Sequence, residues 1–127
     1  MGLTVRVRPS DHGTVVLVGG ELDIEEDESF QQILMHVMHA YSPRLLLDLS
    51  GVAAMDCAGL WAVLTTRRHA EMRKGSVRLV AASATVRRAI TVAGMTDIFP
   101  VSVSGETVPG VNQEGFRLIA DLGCVYP

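Results

Sequence analysis

Residues 44–49 read Arg-Leu-Leu-Leu-Asp-Leu, an apolar run without alternation, bounded by Pro43 upstream and by Ser50 and Gly51 downstream. A run this short and uniform fits a central β-strand covered on both faces. On either side of it the apolar period is helical. Phe30, Ile33, Leu34, Val37, Met38 and Tyr41 follow the i, i+3, i+4, i+7 pattern, so the spacing predicts an amphipathic helix from Ser29 that Pro43 stops. Downstream, a second helix is predicted to begin near Asp56 or Cys57 and to end at Gly75. It turns Leu60, Val63 and Leu64 inward and Arg67, Arg68, Glu71, Arg73 and Lys74 outward. A covered strand set between two helices implies an α/β domain.

The flanks extend this pattern. Leu3 to Arg8 alternates apolar and polar residues, and Thr14 to Val18 follows it across Asp-His-Gly, so the two read as an antiparallel hairpin. Gly51 to Met55 reads as a connecting loop and Val77 to Ala81 as the next strand. Ser83 is the expected N-cap of a third helix with Val86, Ile90 and Ala93 inward and Gly94 at its end, and Val101 to Val103 is expected to close the sheet. The tail carries turn signals at Gly105, Pro109 and Gly110, and Phe116, Ile119 and Ala120 suggest a last helix over 112–122. Residues 1–103 are thus expected to form the domain and residues 104–127 a C-terminal extension. The predicted core is Leu46, Leu47, Leu49, Leu60, Leu64, Val86 and Ile90.

Composition removes several function classes. No apolar run approaches the length of about 18 to 20 residues that a membrane helix needs, and residues 1–14 contain no continuous apolar signal core. Arg6 stands where an N-myristoylation signal wants Ser or Thr. A cytoplasmic protein with no membrane partner is expected. The formal net charge is −3, with Glu21, Asp23, Glu25, Glu26, Asp27 and Glu28 crowded together and Arg67, Arg68, Arg73, Lys74, Arg87 and Arg88 on two later helices. That balance gives no basic field for nucleic acid. Cys57 and Cys124 form no Cys-x-x-Cys or Cys/His spacing, and His36 and His39 lack a third ligand, so no metal is expected. The chain contains neither glycine-rich phosphate-loop pattern, so no cofactor is implied. Cys57 at a helix start has no neighbouring base and no phosphatase-type arginine after it, and it reads as a small packed residue. The chain is accordingly expected not to be an enzyme.

The most informative stretch is Leu45 to Leu64: a covered strand, a link ending at Asp56, and a helix opening on Cys57, Ala58 and Gly59. Small residues there leave first-turn amides open to a partner, and Asp56 can cap them or shape a docking loop. Trp61 is either an interface anchor or part of the core. Asp48 on an apolar strand must stand at a strand end or be satisfied by neighbouring amides.

Five pieces in order carry a family resemblance: Gly-Glu-Leu-Asp at 20–23, Leu-Leu-Asp-Leu-Ser-Gly-Val at 46–52, Met-Asp-x-x-Gly-Leu at 55–60, Ala-Ser-Ala-Thr-Val-Arg-Arg at 82–88, and Ala-Gly-Met-Thr-Asp-Ile-Phe at 93–99. Over Leu3 to Val103 the chain resembles the STAS domains of bacterial anti-sigma factor antagonists. The resemblance implies a STAS-like mixed sheet, an opening antiparallel hairpin followed by parallel strands, with helices packed on it. It also implies an anti-sigma factor, often a histidine-kinase-like serine kinase, as partner. Binding would release a sigma factor and so regulate transcription by partner switching. The kinase reverses the state in that family by phosphorylating the second variable place of Asp-x-x-Gly-Leu. Here that place is Ala58, which has no hydroxyl to phosphorylate. The chain would then be a constitutive antagonist, a scaffold regulated elsewhere, or an engineered form of a phosphorylatable parent.

The partner-binding residues expected from the resemblance are Asp23, Asp56, Cys57, Ala58, Gly59, Leu60 and Trp61, with Asp23 either touching the partner or beginning the first helix. The alternative is a STAS-type nucleotide- or ligand-binding regulatory domain. The strand at Leu3 to Arg8, as an exposed edge, would be the site of a homodimer.

Overall fold

The computed structural model describes residues 2–22, 27–97 and 117–121. Strands β1 (Leu3–Ser10) and β2 (Gly13–Leu22) form the opening hairpin, and α1 (Asp27–Ala40) crosses to β3 (Arg44–Met55). Then α2 (Cys57–Met72) crosses to β4 (Ser76–Ala82), and α3 (Ala84–Val92) and β5 (Arg117–Asp121) follow. The sheet order is β4-β3-β2-β1-β5. β1 is antiparallel to β2, whereas β2 to β3 and β3 to β4 are parallel pairs, so the mixed sheet is the one the sequence predicts. Both parallel crossovers step in the same direction along the sheet. Their shared right-handedness therefore puts α1 and α2 on one face, where they touch.

One side of the sheet carries the core. Val5 and Val7 of β1, Val16 and Val18 of β2, Leu45, Leu47 and Leu49 of β3, and Val77 and Leu79 of β4 are buried with Phe30, Leu34, Val37 and Met38 of α1. α2 adds Leu60 and Val63, and α3 adds Val86 and Ile90. Burial of each such side chain is worth about 1.5 to 3 kcal/mol against leaving it in water. Leu46, in the alternate register of β3, is also buried, which is why this segment shows no alternation. Leu64 departs from the predicted core: it is only partly buried and packs against the cluster's margin.

Three further expectations change. Gly51 to Met55 is not a loop but the second half of β3, paired with Gly19 to Leu22 of β2 through two register irregularities. Small residues at Gly51, Ala53 and Ala54 hid it, because the apolar signal fades while the backbone ladder continues. α2 ends at Met72 and not at Gly75; its left-handed closing residue is Lys74, at φ 62°. Residues 117–121 form a strand where the spacing of Phe116, Ile119 and Ala120 predicts a helix. Short apolar runs satisfy both periods, and pairing with β1 decides this one. That pairing also removes β1 from the edge of the sheet, so the self-pairing site expected at Leu3 to Arg8 is occupied by the chain's own β5. The strand expected at Val101 to Val103 and the rest of the 112–122 helix lie outside the described residues.

Candidate functional site

The link between β3 and α2 is a single residue. Asp56 has extended backbone, φ −112° and ψ −175°, and its N–H donates to the carbonyl of Leu22 at 3.2 Å, which ties the helix start to the end of β2. Its Oδ1 accepts from the N–H of Ala58 at 3.0 Å and of Gly59 at 3.2 Å. It is thus the N-cap of α2, and two of the amides the first turn leaves unpaired are already held.

The helix turns Gly59, Leu60, Ala62, Val63, Thr66 and Ala70 inward. A Cβ on Gly59 would meet Leu22 Cβ at 3.1 Å and Leu22 O at 3.2 Å, so the glycine lets the first turn sit directly on β2. Of the residues expected at a partner surface, Gly59 and Leu60 are therefore buried. Ala58 is half-buried, and Asp56, Cys57 and Trp61 are exposed. Cys57 is not the packed residue the sequence reading expects: at this helix start it projects to solvent while Gly59 and Leu60 take the inward positions. Trp61, 56% exposed, is on the surface and not in the core. Asp23 lies outside the described residues.

Trp61, Thr65, Arg68 and Met72 follow one another at i, i+4, i+7 and i+11 and make the outer stripe of α2. Met72, 80% exposed, was not singled out by sequence reasoning, although its offset from Trp61 is the signal that marks it. Beside the stripe, Arg67 and Glu71 approach at 3.5 Å as an i, i+4 pair. The basic residues Arg68, Arg73 and Lys74 are exposed at the same end.

α3 is fastened to the same region of β3. Ser83 caps it, accepting from Val86 N–H at 3.3 Å, while its hydroxyl donates to Val52 O at 2.7 Å and its N–H donates to Leu49 O at 3.2 Å. Asp48, 8% exposed, lies within β3 and not at its end. Its Oδ1 accepts from the Ser50 N–H at 3.0 Å and from the Ser50 hydroxyl at 2.6 Å. His36 and His39 are exposed on α1, and Arg73 of the α2 terminus donates to the His39 ring. The arrangement offers a shaped surface of one aromatic, small residues and cations.

The family model described as "Mlab, STAS domain" matches residues 5–102. Among solved structures, an anti-sigma factor antagonist from Mycobacterium paratuberculosis shares 28% sequence identity with a TM-score of 0.69, over 80% of this chain and 86% of that one. The anti-sigma factor antagonist SpoIIAA in its unphosphorylated form matches at 20% identity and TM-score 0.64, over 79% of this chain and 89% of that one. The Bacillus cell fate determinant SpoIIAA in its phosphorylated form matches at 19% identity and TM-score 0.58, over 79% and 92%. The two SpoIIAA likenesses establish the fold. No curated protein sequence matches the chain significantly.

Proposed function

The chain belongs to the STAS domain family, and we propose that it acts as an anti-sigma factor antagonist: a binding protein without catalytic turnover that captures an anti-sigma factor and so frees a sigma factor for transcription. The reading is supported by the 28% identity to the mycobacterial antagonist, which spans most of both chains. It takes its location from one feature of the surface. Trp61 stands 56% exposed one helical turn after the capped start of α2, beside the exposed Cys57 and the half-buried Ala58. An exposed tryptophan on a helix, next to small residues, has the makeup of an interface anchor.

In this reading Asp56 shapes the docking edge, Trp61 fills a pocket on the partner, and Asp23 adds an acidic contact. Residues 1–103 are the domain, and the 104–127 extension returns β5 to its sheet. The partner is of the serine-kinase type, and Ala58 stands where that kinase would place a phosphate. Without a hydroxyl there, the complex stays in its binding-competent state in a bacterial cytoplasm.

Affinity capture with the wild-type chain and with Trp61→Ala tests this, followed by displacement of sigma factor from the captured complex. Recovery of a kinase-like anti-sigma factor on the wild type, a large loss on Trp61→Ala, and sigma release on adding the chain support it. Capture that is indifferent to Trp61, or a partner that binds no sigma factor, would contradict it.

A further inference from the structure

At the pole of the sheet away from Asp56, the β1–β2 turn and the α1–β3 connection flank a shallow, open cavity of about 470 Å³. Its volume is in the range of small-molecule sites, which run from about 300 to 1,000 Å³. At its base is Thr14, which is 1% exposed. The Thr14 backbone is engaged in the ladders to β1 and β3, but among the described residues its hydroxyl has no hydrogen-bond partner. Among the described residues the other two buried polar side chains each have a partner: Asp48 accepts from Ser50 through Oδ1, and the Thr66 hydroxyl donates to Ala62 O at 2.8 Å. A buried hydroxyl left without a partner is costly, and one that lines a cavity is accounted for by what fills the cavity.

The rim carries both signs of charge. Asp11 and Arg44 line the same cavity, and among the described residues neither is paired with the other or with anything else. Ala40, the last residue of α1, lines it too, so the helix contributes its negative end. The walls are fixed before anything binds. The Ser10 hydroxyl donates to Gly13 O at 2.7 Å, and the Ser42 hydroxyl accepts from Arg44 N–H at 3.1 Å. Gly13, at φ 131°, packs so tightly on residue 44 that a Cβ there would lie 2.6 Å from Arg44 O.

We propose that this cavity binds a small zwitterion of the amino-acid class, its carboxylate held by Arg44 and the Thr14 hydroxyl and its ammonium group held by Asp11 and the carbonyl end of α1. A singly charged ion would satisfy one wall and leave the other unpaired. A neutral polyol would use neither charge.

The site is separate from the docking surface, and its test does not depend on that reading. Titration of the full chain with each of the standard L-amino acids, followed by amide chemical shifts, is expected to give saturable movement at Gly13, Thr14 and Ser42 to Arg44 for at least one of them. Acetate, methylamine and glycerol at equal concentration are expected to give none that saturates. Arg44→Gln should abolish the response, and Thr14→Val should weaken it about five- to tenfold, the loss of one hydrogen bond. Because the hydroxyl is unpartnered in the free chain, Thr14→Val should leave the melting midpoint unchanged or raise it. Absence of saturation with every amino acid, an equal response to acetate alone, or a lowered midpoint in Thr14→Val would each overturn the proposal.

Discussion

The Oδ1 of Asp56, accepting from the amides of Ala58 and Gly59 at 3.0 and 3.2 Å, sets both the start of α2 and the shape of the surface beside it. Replacing Asp56 with Ala should therefore destabilise the chain by about 0.5 to 2 kcal/mol, measured by denaturant midpoint, with the midpoint slope unchanged. Replacement with Ser, which can cap the same amides, should recover most of that loss. The cap was legible because a short acceptor just before a helical period has few other uses. The fate of Cys57 and Trp61 was not. Which way a first-turn side chain projects depends on how the helix is rotated on the sheet, and that rotation is set by the contact of Gly59 with Leu22, some 37 residues earlier in the chain. Local sequence carries no record of it.

At the scale of elements, the helices and the parallel pairing were readable because each amphipathic period is long and the strand at residues 45–49 is covered on both sides. What failed were the places where pairing overrides local pattern: the second half of β3, written in small residues, and β5, whose five residues suit either period. Two substitutions separate core from margin. Leu47→Ala, at a fully buried position, should cost about 2 to 5 kcal/mol, whereas Leu64→Ala, at a partly buried one, should cost clearly less. Equal losses in urea unfolding would mean that α2 is rotated differently. The left-handed Lys74 stores conformational energy that glycine would not. Lys74→Gly should therefore raise stability by up to about 1 kcal/mol in the same assay, and a loss would show that the Lys74 side chain makes a stabilising contact.

Over the whole molecule, the sheet holds two distinct ends: the start of α2 with Trp61 at one, and the Thr14 cavity at the other. The position of the first in the chain was legible, because family pieces in the right order bracket it, but which of its side chains face solvent was not. The second was not, because Thr14, Tyr41 and Arg44 are ordinary residues that only the folded topology assembles. The central claim is that the surface around Ala58 docks the anti-sigma factor and lacks the phosphoryl acceptor that would release it. Ala58→Ser restores a hydroxyl at a half-buried position beside an intact cap, and Ala58→Glu introduces charge and bulk into a surface the partner must desolvate. The direct measurement is a binding titration of one anti-sigma factor with the wild type, with Ala58→Glu, and with Ala58→Ser before and after treatment with the kinase. The expected result is tight binding by the wild type and by unmodified Ala58→Ser, no phosphate on the wild type, and weakened binding by both phosphorylated Ala58→Ser and Ala58→Glu. Equal affinity in all four states would place the docking surface elsewhere, and phosphate recovered on the exposed Ser50 or on Thr65 of the wild type would show that the acceptor has moved to another residue.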